Sequence, residues 1–176
     1  MRETTTDILR ALFGTLFFLL ILLPFFLILI PYQILSSSAR VCPFDIGAIR
    51  YLGVAPIALG VVIYIWCSGS FVLSGIGTPI PFTPTKKLVV TGLYRFVRNP
   101  LYIGGALVLA GEAILFQSLG ILIYSLVMFA VFNVHVLIEE AELVDRFGST
   151  YERYRESVPR WIPRLKPYND NDGESL

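Results

Sequence analysis

Residues 11–31, ALFGTLFFLLILLPFFLILIP, are apolar almost without interruption. That length spans a hydrocarbon core at helical rise. Arg2 and Arg10 precede the run, as basic residues precede a secretory signal. The run is longer than a usual signal core, however, and no small-x-small cleavage pattern follows it, so a first membrane span is expected. A second apolar stretch covers about 51–74, with Pro56 near its start and Gly60 and Gly69 as positions for close helix contact. Stretches at about 101–117 and 119–138 are separated only by a QSLG turn, which predicts a tight antiparallel hairpin.

Beyond residue 138 the pattern becomes amphipathic. Leu143, Phe147, Tyr151, Tyr154 and Val158 recur at steps of four, four, three and four, which predicts a helix over about 139–158 with one apolar face. Gly148 weakens it and Pro159 ends it. Residues 74–84, SGIGTPIPFTP, combine glycine and proline too densely for a helix, and 169–176 read as a solvated, disordered tail. The expected fold is an all-α integral membrane domain over 1–168, with about four transmembrane helices and a cytoplasmic amphipathic helix.

Composition agrees with this pattern. A mean hydropathy of +0.70 and 15% charged residues set the chain apart from average soluble proteins. Lysines and arginines then orient it. The N-terminus, the 75–100 loop and the C-terminal region carry two, four and six of them, whereas the opposite side carries only Arg40 and Arg50. Both termini are therefore expected in the cytoplasm. The net charge of +1 gives no reason to expect nucleic acid. Two cysteines, Cys42 and Cys67, make no disulfide framework, and the single histidine, His135, rules out a multi-His metal cluster.

Chemistry concentrates at two places. In RFVRNPLY, Asn99 is biased away from helix by Pro100, which begins the third span. The free first-turn amides and the helix dipole could take a carboxylate or ribose oxygen, or Arg95 and Arg98 could simply reach headgroups beside a capped helix. At the end of the fourth span, His135 and Glu139 share a helix face, with Glu140 next to them. Adjacent acids at a helix C-terminus need a compensating cation. Arg95, Arg98 or a cationic ligand would serve, and a bare Glu139–Arg98 salt bridge is the plain alternative. Glu112, inside the third span, is a functional candidate or a partner for Asn133 or a tyrosine across the hairpin.

The order TPIPFTPTKKLVVTGLYRFVRNPLY, a short hairpin, EEAELVDRFGSTYERY and VPRWIPR resembles the isoprenylcysteine carboxyl methyltransferase family, particularly its smaller prokaryotic members. More distantly it resembles the phospholipid methyltransferases. The resemblance covers roughly residues 74–166. It implies S-adenosylmethionine held between the hairpin and its cytoplasmic flanks, by Lys86, Lys87, Leu88, Val89, Tyr94, Arg98, Asn99, Pro100, Leu101, Tyr102 and Glu139. Glu139 would take the α-ammonium of the methyl donor, with Glu140 supporting it. The eukaryotic prenylcysteine enzymes have histidine at the Asn99 position and a substrate-contacting arginine at the His135 position, so His135 becomes the candidate substrate contact.

The activity this implies is O-methylation of the carboxylate of a prenylated cysteine or similar lipophilic acid entering from the bilayer, with His135, Glu139 and Glu140 as the catalytic set. N-methylation of an aminophospholipid would instead need a base, for which His135, Glu139 and Glu140 are the nearby groups. Membrane sterol reductases share a related helical core and would predict a nicotinamide donor. A non-enzymatic scaffold using its amphipathic helix to dock a partner is the remaining alternative.

Overall fold

The computed structural model describes residues 13–14, 16–37, 45–73 and 88–169. Cys42, segment 74–84, Lys86, Lys87 and the tail beyond Asn169 lie outside them. All regular structure among the described residues is helical.

The first apolar run winds through two π-helical turns, Phe18–Leu22 and Phe25–Leu29, into helix α1, Ile30–Ser36. The run was expected to stop near 31, yet Pro31 lies in the first turn of α1, where its missing N–H has little cost. A 3₁₀ segment, Gly47–Gly53, leads directly into α2, Val54–Leu73. Helix α3, Pro100–Leu115, and helix α4, Leu119–Phe147, form the hairpin. Its turn is tight: Gln117 adopts φ 51°, and the Ser118 hydroxyl accepts from Ile121 N at 3.3 Å. Gln117 also accepts from Ile46 N at 3.0 Å, fastening the start of the second apolar run to the hairpin tip.

Two helical stretches, Gly47–Ser70 and Leu119–Phe147, are long and apolar enough to cross a membrane, while Leu20–Ser36 and Pro100–Leu115 are shorter apolar helices. Only 17% of each long apolar window is buried within the protein. A soluble core helix would bury most of such a window; these side chains face outward, as lipid as solvent requires.

Helices α2 and α3 touch through their backbones. A Cβ at Gly53 would lie 2.4 Å from Gly111 O, and one at Gly60 would lie 2.5 Å from Gly104 O. The glycines are seven residues apart on both helices, so they return to the same face and form an antiparallel seam. Gly60 thus fulfils its expected role. Gly69 does not: no atom of the described residues lies within 4 Å of its Cβ position.

Helix α4 also differs from expectation. Nothing in 138–147 interrupts the backbone hydrogen-bond ladder, so the fourth apolar stretch and the first half of the amphipathic segment are one helix of 29 residues. The break comes at Gly148, φ 52°, ψ −132°, and helix α5 then covers Ser149–Ser157. The apolar face is as read, and it is used internally. Tyr151, Tyr154 and Val158 are buried with Tyr168, and Leu88, Val90, Leu143, Val144 and Phe147 pack around them. The face a docking scaffold would present is therefore already covered.

Candidate active site

The Asn-Pro element and the paired acids meet where α3 begins and α4 leaves its apolar stretch. Pro100 occupies the first turn of α3, and Asn99 at its N-cap makes no side-chain capping bond. Its amide instead donates to Arg160 O at 3.3 Å. The first-turn amides of a 16-residue helix are therefore uncapped by Asn99, with the positive end of the helix dipole behind them.

Glu139 and Glu140 diverge from adjacent positions, since neighbours on a helix are separated by about 100°. Glu140 is buried. Arg160 grips it with both arms, Nη2 to Oε2 at 2.6 Å and Nε to Oε1 at 3.0 Å, and Arg98 Nη1 reaches Oε1 at 2.8 Å. The bond to Glu140 raises the pKa of Arg160. Glu139 is half-buried. Its Oε2 accepts from the Tyr102 hydroxyl at 3.0 Å, and among the described residues no lysine or arginine forms a salt bridge with it. The plain alternative, a Glu139–Arg98 bridge, does not form: Arg98 pairs with Glu140 instead, because it lies on the side of α4 that carries the second acid.

His135, one turn before Glu139, sets its ring edge-on to Tyr102 at 5.9 Å between centroids, and Phe132 packs on the same tyrosine at 5.2 Å. Tyr102, His135 and Glu139 thus form one group open to the surface at His135. The remaining expected residues divide. Leu101 joins the membrane core with Tyr64 and Cys67, and Tyr94 packs against that core. Leu88 lies under the Tyr151 cluster, Val89 and Pro100 are buried, and Lys86 and Lys87 fall outside the described residues.

A C-terminal strap closes this end. Backbone bonds join Arg98 N to Pro159 O at 3.0 Å, Arg164 N to Phe96 O at 2.9 Å and Tyr168 N to Arg95 O at 2.9 Å. Arg95 returns a bond from Nε to Tyr168 O at 2.7 Å and another to the Asn169 side chain, so residue 169 is held rather than part of a free tail. The Tyr154 hydroxyl donates to Tyr94 O at 2.7 Å, and burial pushes that phenol's pKa up, keeping it a neutral donor. Arg160 and Trp161, both in VPRWIPR, also reach this end of the fold, although spacing does not single them out. Trp161 Nε1 donates to Asn133 Oδ1 at 3.1 Å. Asn133 is therefore not the partner of Glu112, whose buried Oε2 has no hydrogen-bond partner among the described residues.

A family model described as phospholipid methyltransferase matches residues 48–150, more than half of the chain. The chain belongs to the phospholipid methyltransferase family. Family membership and the outward-facing apolar helices together place this phospholipid methyltransferase-family protein in the membrane. Similar curated proteins include a protein-S-isoprenylcysteine O-methyltransferase of Schizosaccharomyces pombe, 40% identical over 79 residues, which are 44% of this chain and 34% of the relative. Methanethiol S-methyltransferase 2 of Bradyrhizobium diazoefficiens is 40% identical over 73 residues, 42% of this chain and 27% of the relative. A Xenopus laevis protein-S-isoprenylcysteine O-methyltransferase is 31% identical over 83 residues, 47% and 29% of the two chains. This family member thus spans about a third of these relatives' own length. No solved structure matches it.

Proposed function

We propose that this chain is an S-adenosylmethionine-dependent methyltransferase that esterifies the carboxylate of a prenylated cysteine, or a closely related lipophilic acid, delivered from the bilayer. In this reading the chain crosses the membrane four times, with both termini, the 139–158 segment and the donor site on the cytoplasmic side. The observation that carries the reading is the division of labour between the paired acids. Both nearby arginines are spent on Glu140, which leaves Glu139 as a half-buried carboxylate, held by a phenol and, among the described residues, without a lysine or arginine partner. A group of that kind fits an α-ammonium.

The bound donor supplies a methyl group on a sulfonium, ready for in-line displacement. The protein's part is positional. Glu139 holds the ammonium while Tyr102 fixes the carboxylate rotamer, and the α3 N-terminus offers amides to a donor carboxylate or ribose oxygen. The 159–168 strap keeps the start of α3 and the end of α4 together, which preserves the alignment that supplies most of such an acceleration. A carboxylate acceptor is already ionised at neutral pH, so no residue has to remove a proton. His135, at the open edge of the group, is placed to contact the acceptor.

Relatives named for methanethiol favour a second reading, S-methylation of a thiol. Such an acceptor has a proton to lose, and His135 beside Glu139 is the base that would take it. The test is to reconstitute the chain in vesicles with methyl-labelled S-adenosylmethionine and offer farnesylated cysteine, phosphatidylethanolamine or methanethiol separately. Base-labile methyl release from the farnesylated cysteine supports the ester reading; label recovered only as a volatile sulfide or in phospholipid overturns it.

A further inference from the structure

We propose that residues 160–166 form a membrane anchor: after the C-terminal helix α5 the chain returns to the bilayer, with Ile162 and Leu165 inserted among lipid acyl chains. Among the described residues these are the two most exposed large hydrophobic side chains, Leu165 at 98% and Ile162 at 78%. Exposure alone does not choose a partner; the placement of Trp161 between Arg160 and Ile162 does. Its indole bonds Asn133 Oδ1 and its ring packs on Phe129 at 5.3 Å between centroids.

Asn133 is six residues before Glu139 on α4, about 9 Å deeper along the helix axis. Its neighbours Val131, Val134, Leu137 and Ile138 are all exposed and apolar, so this is a lipid-facing level of the span. An asparagine there needs its polar atoms satisfied within the protein. They are: the amide donates to Phe129 O at 2.8 Å and the carbonyl oxygen takes the Trp161 indole. The segment therefore enters at a depth where the surroundings of α4 are hydrocarbon or its boundary, and its two bare aliphatic side chains belong to the same surface. The polar residues conform. Arg160 turns inward to Glu140, Arg164 Nη1 donates to Ser157 O at 3.0 Å, and exposed Lys166 is left for the headgroups. The anchor also gives Arg160 its position, since the residue that grips Glu140 directly precedes the indole embedded against α4.

The anchor can be read without any activity measurement. Leu165→Cys, and separately Ile162→Cys, in a chain carrying Cys42→Ser and Cys67→Ala, would be labelled with a polarity-sensitive nitrobenzoxadiazole fluorophore and reconstituted in phosphatidylcholine–phosphatidylglycerol vesicles. Glu152→Cys on the exposed side of α5 serves as the aqueous reference. The expected result is several-fold brighter, blue-shifted emission at 162 or 165 relative to 152, quenched by lipids bearing a nitroxide on the acyl chain. Emission matching that of position 152 overturns the proposal. Blue-shifted emission that lipid nitroxides leave unquenched overturns it too, because the side chains would then lie against protein, a second copy included. Either position suffices if the other variant does not fold.

Discussion

Arg160 holds Glu140 through two parallel hydrogen bonds of 2.6 and 3.0 Å, although the two residues are separated by the whole of α5. This contact commits one of two adjacent acids to structure, while Glu139, held by Tyr102, is the one to which the proposed function assigns the methyl donor. Arg98 completes the pair from the third element of the site.

Removing the committed acid should therefore damage the fold first. Glu140→Ala leaves Arg98, itself largely buried, without its counter-charge, and a cost of about 3 kcal/mol is expected. Arg160→Ala should cost about 1 kcal/mol, since Arg98 still pairs with the acid and Arg160 is a third exposed. Thermal unfolding in detergent measures both.

The uncommitted acid should behave in the opposite way. Glu139→Gln keeps the shape and the Tyr102 contact, so melting should shift little. Binding of S-adenosylmethionine should weaken by more than about tenfold, as expected for loss of a charge-assisted contact. Tyr102→Phe removes one bond of 3.0 Å to that carboxylate and should weaken binding by a smaller factor. Titration calorimetry separates the two effects.

The glycine seam makes a steric prediction. At Gly60 an added methyl would meet Gly104 O at 2.5 Å and Val108 Cγ2 at 2.7 Å. Gly60→Ala must push two backbones apart and should cost at least about 2 kcal/mol. Gly69→Ala, with no atom of the described residues within 4 Å of the added methyl, should be neutral or slightly stabilising, since alanine is the better helix former. Comparing the two melting curves tests the seam directly.

At Gly148 the obstacle is conformational. Nothing lies within 4 Å of a built Cβ, yet φ 52° with ψ −132° is a backbone geometry reserved almost entirely for glycine. Gly148→Ala should cost about 1–3 kcal/mol and loosen α5. Faster amide exchange at Tyr151 and Tyr154 than in the parent is the signature.

Much of this arrangement is legible in the residues. QSLG between two apolar runs specifies the hairpin, and the hairpin alone brings Asn99–Pro100 to the paired acids. The apolar stripe from Leu143 to Val158 is real, but the pattern gives no partner for it; Leu88, Val90 and Tyr168 come from distant segments. Choosing between Glu139 and Glu140 needs the rotational setting of α4, which packing against Tyr102 and the strap decides. Arg160 was obscured because its reach depends on the chain folding back after Pro159. The seam is also legible: the seven-residue spacings of Gly53 and Gly60 and of Gly104 and Gly111 each point to one helix face.

The seam between α2 and α3 leaves the fold no spacer to adjust on that side. With carbonyls facing where side chains would otherwise stand, neither helix can move closer to the other at the seam. On the proposed methyl-transfer reading, room for different acceptors is expected on the opposite flank, where the π-wound first segment meets α4 and the Tyr124 hydroxyl donates to Phe26 O at 3.0 Å.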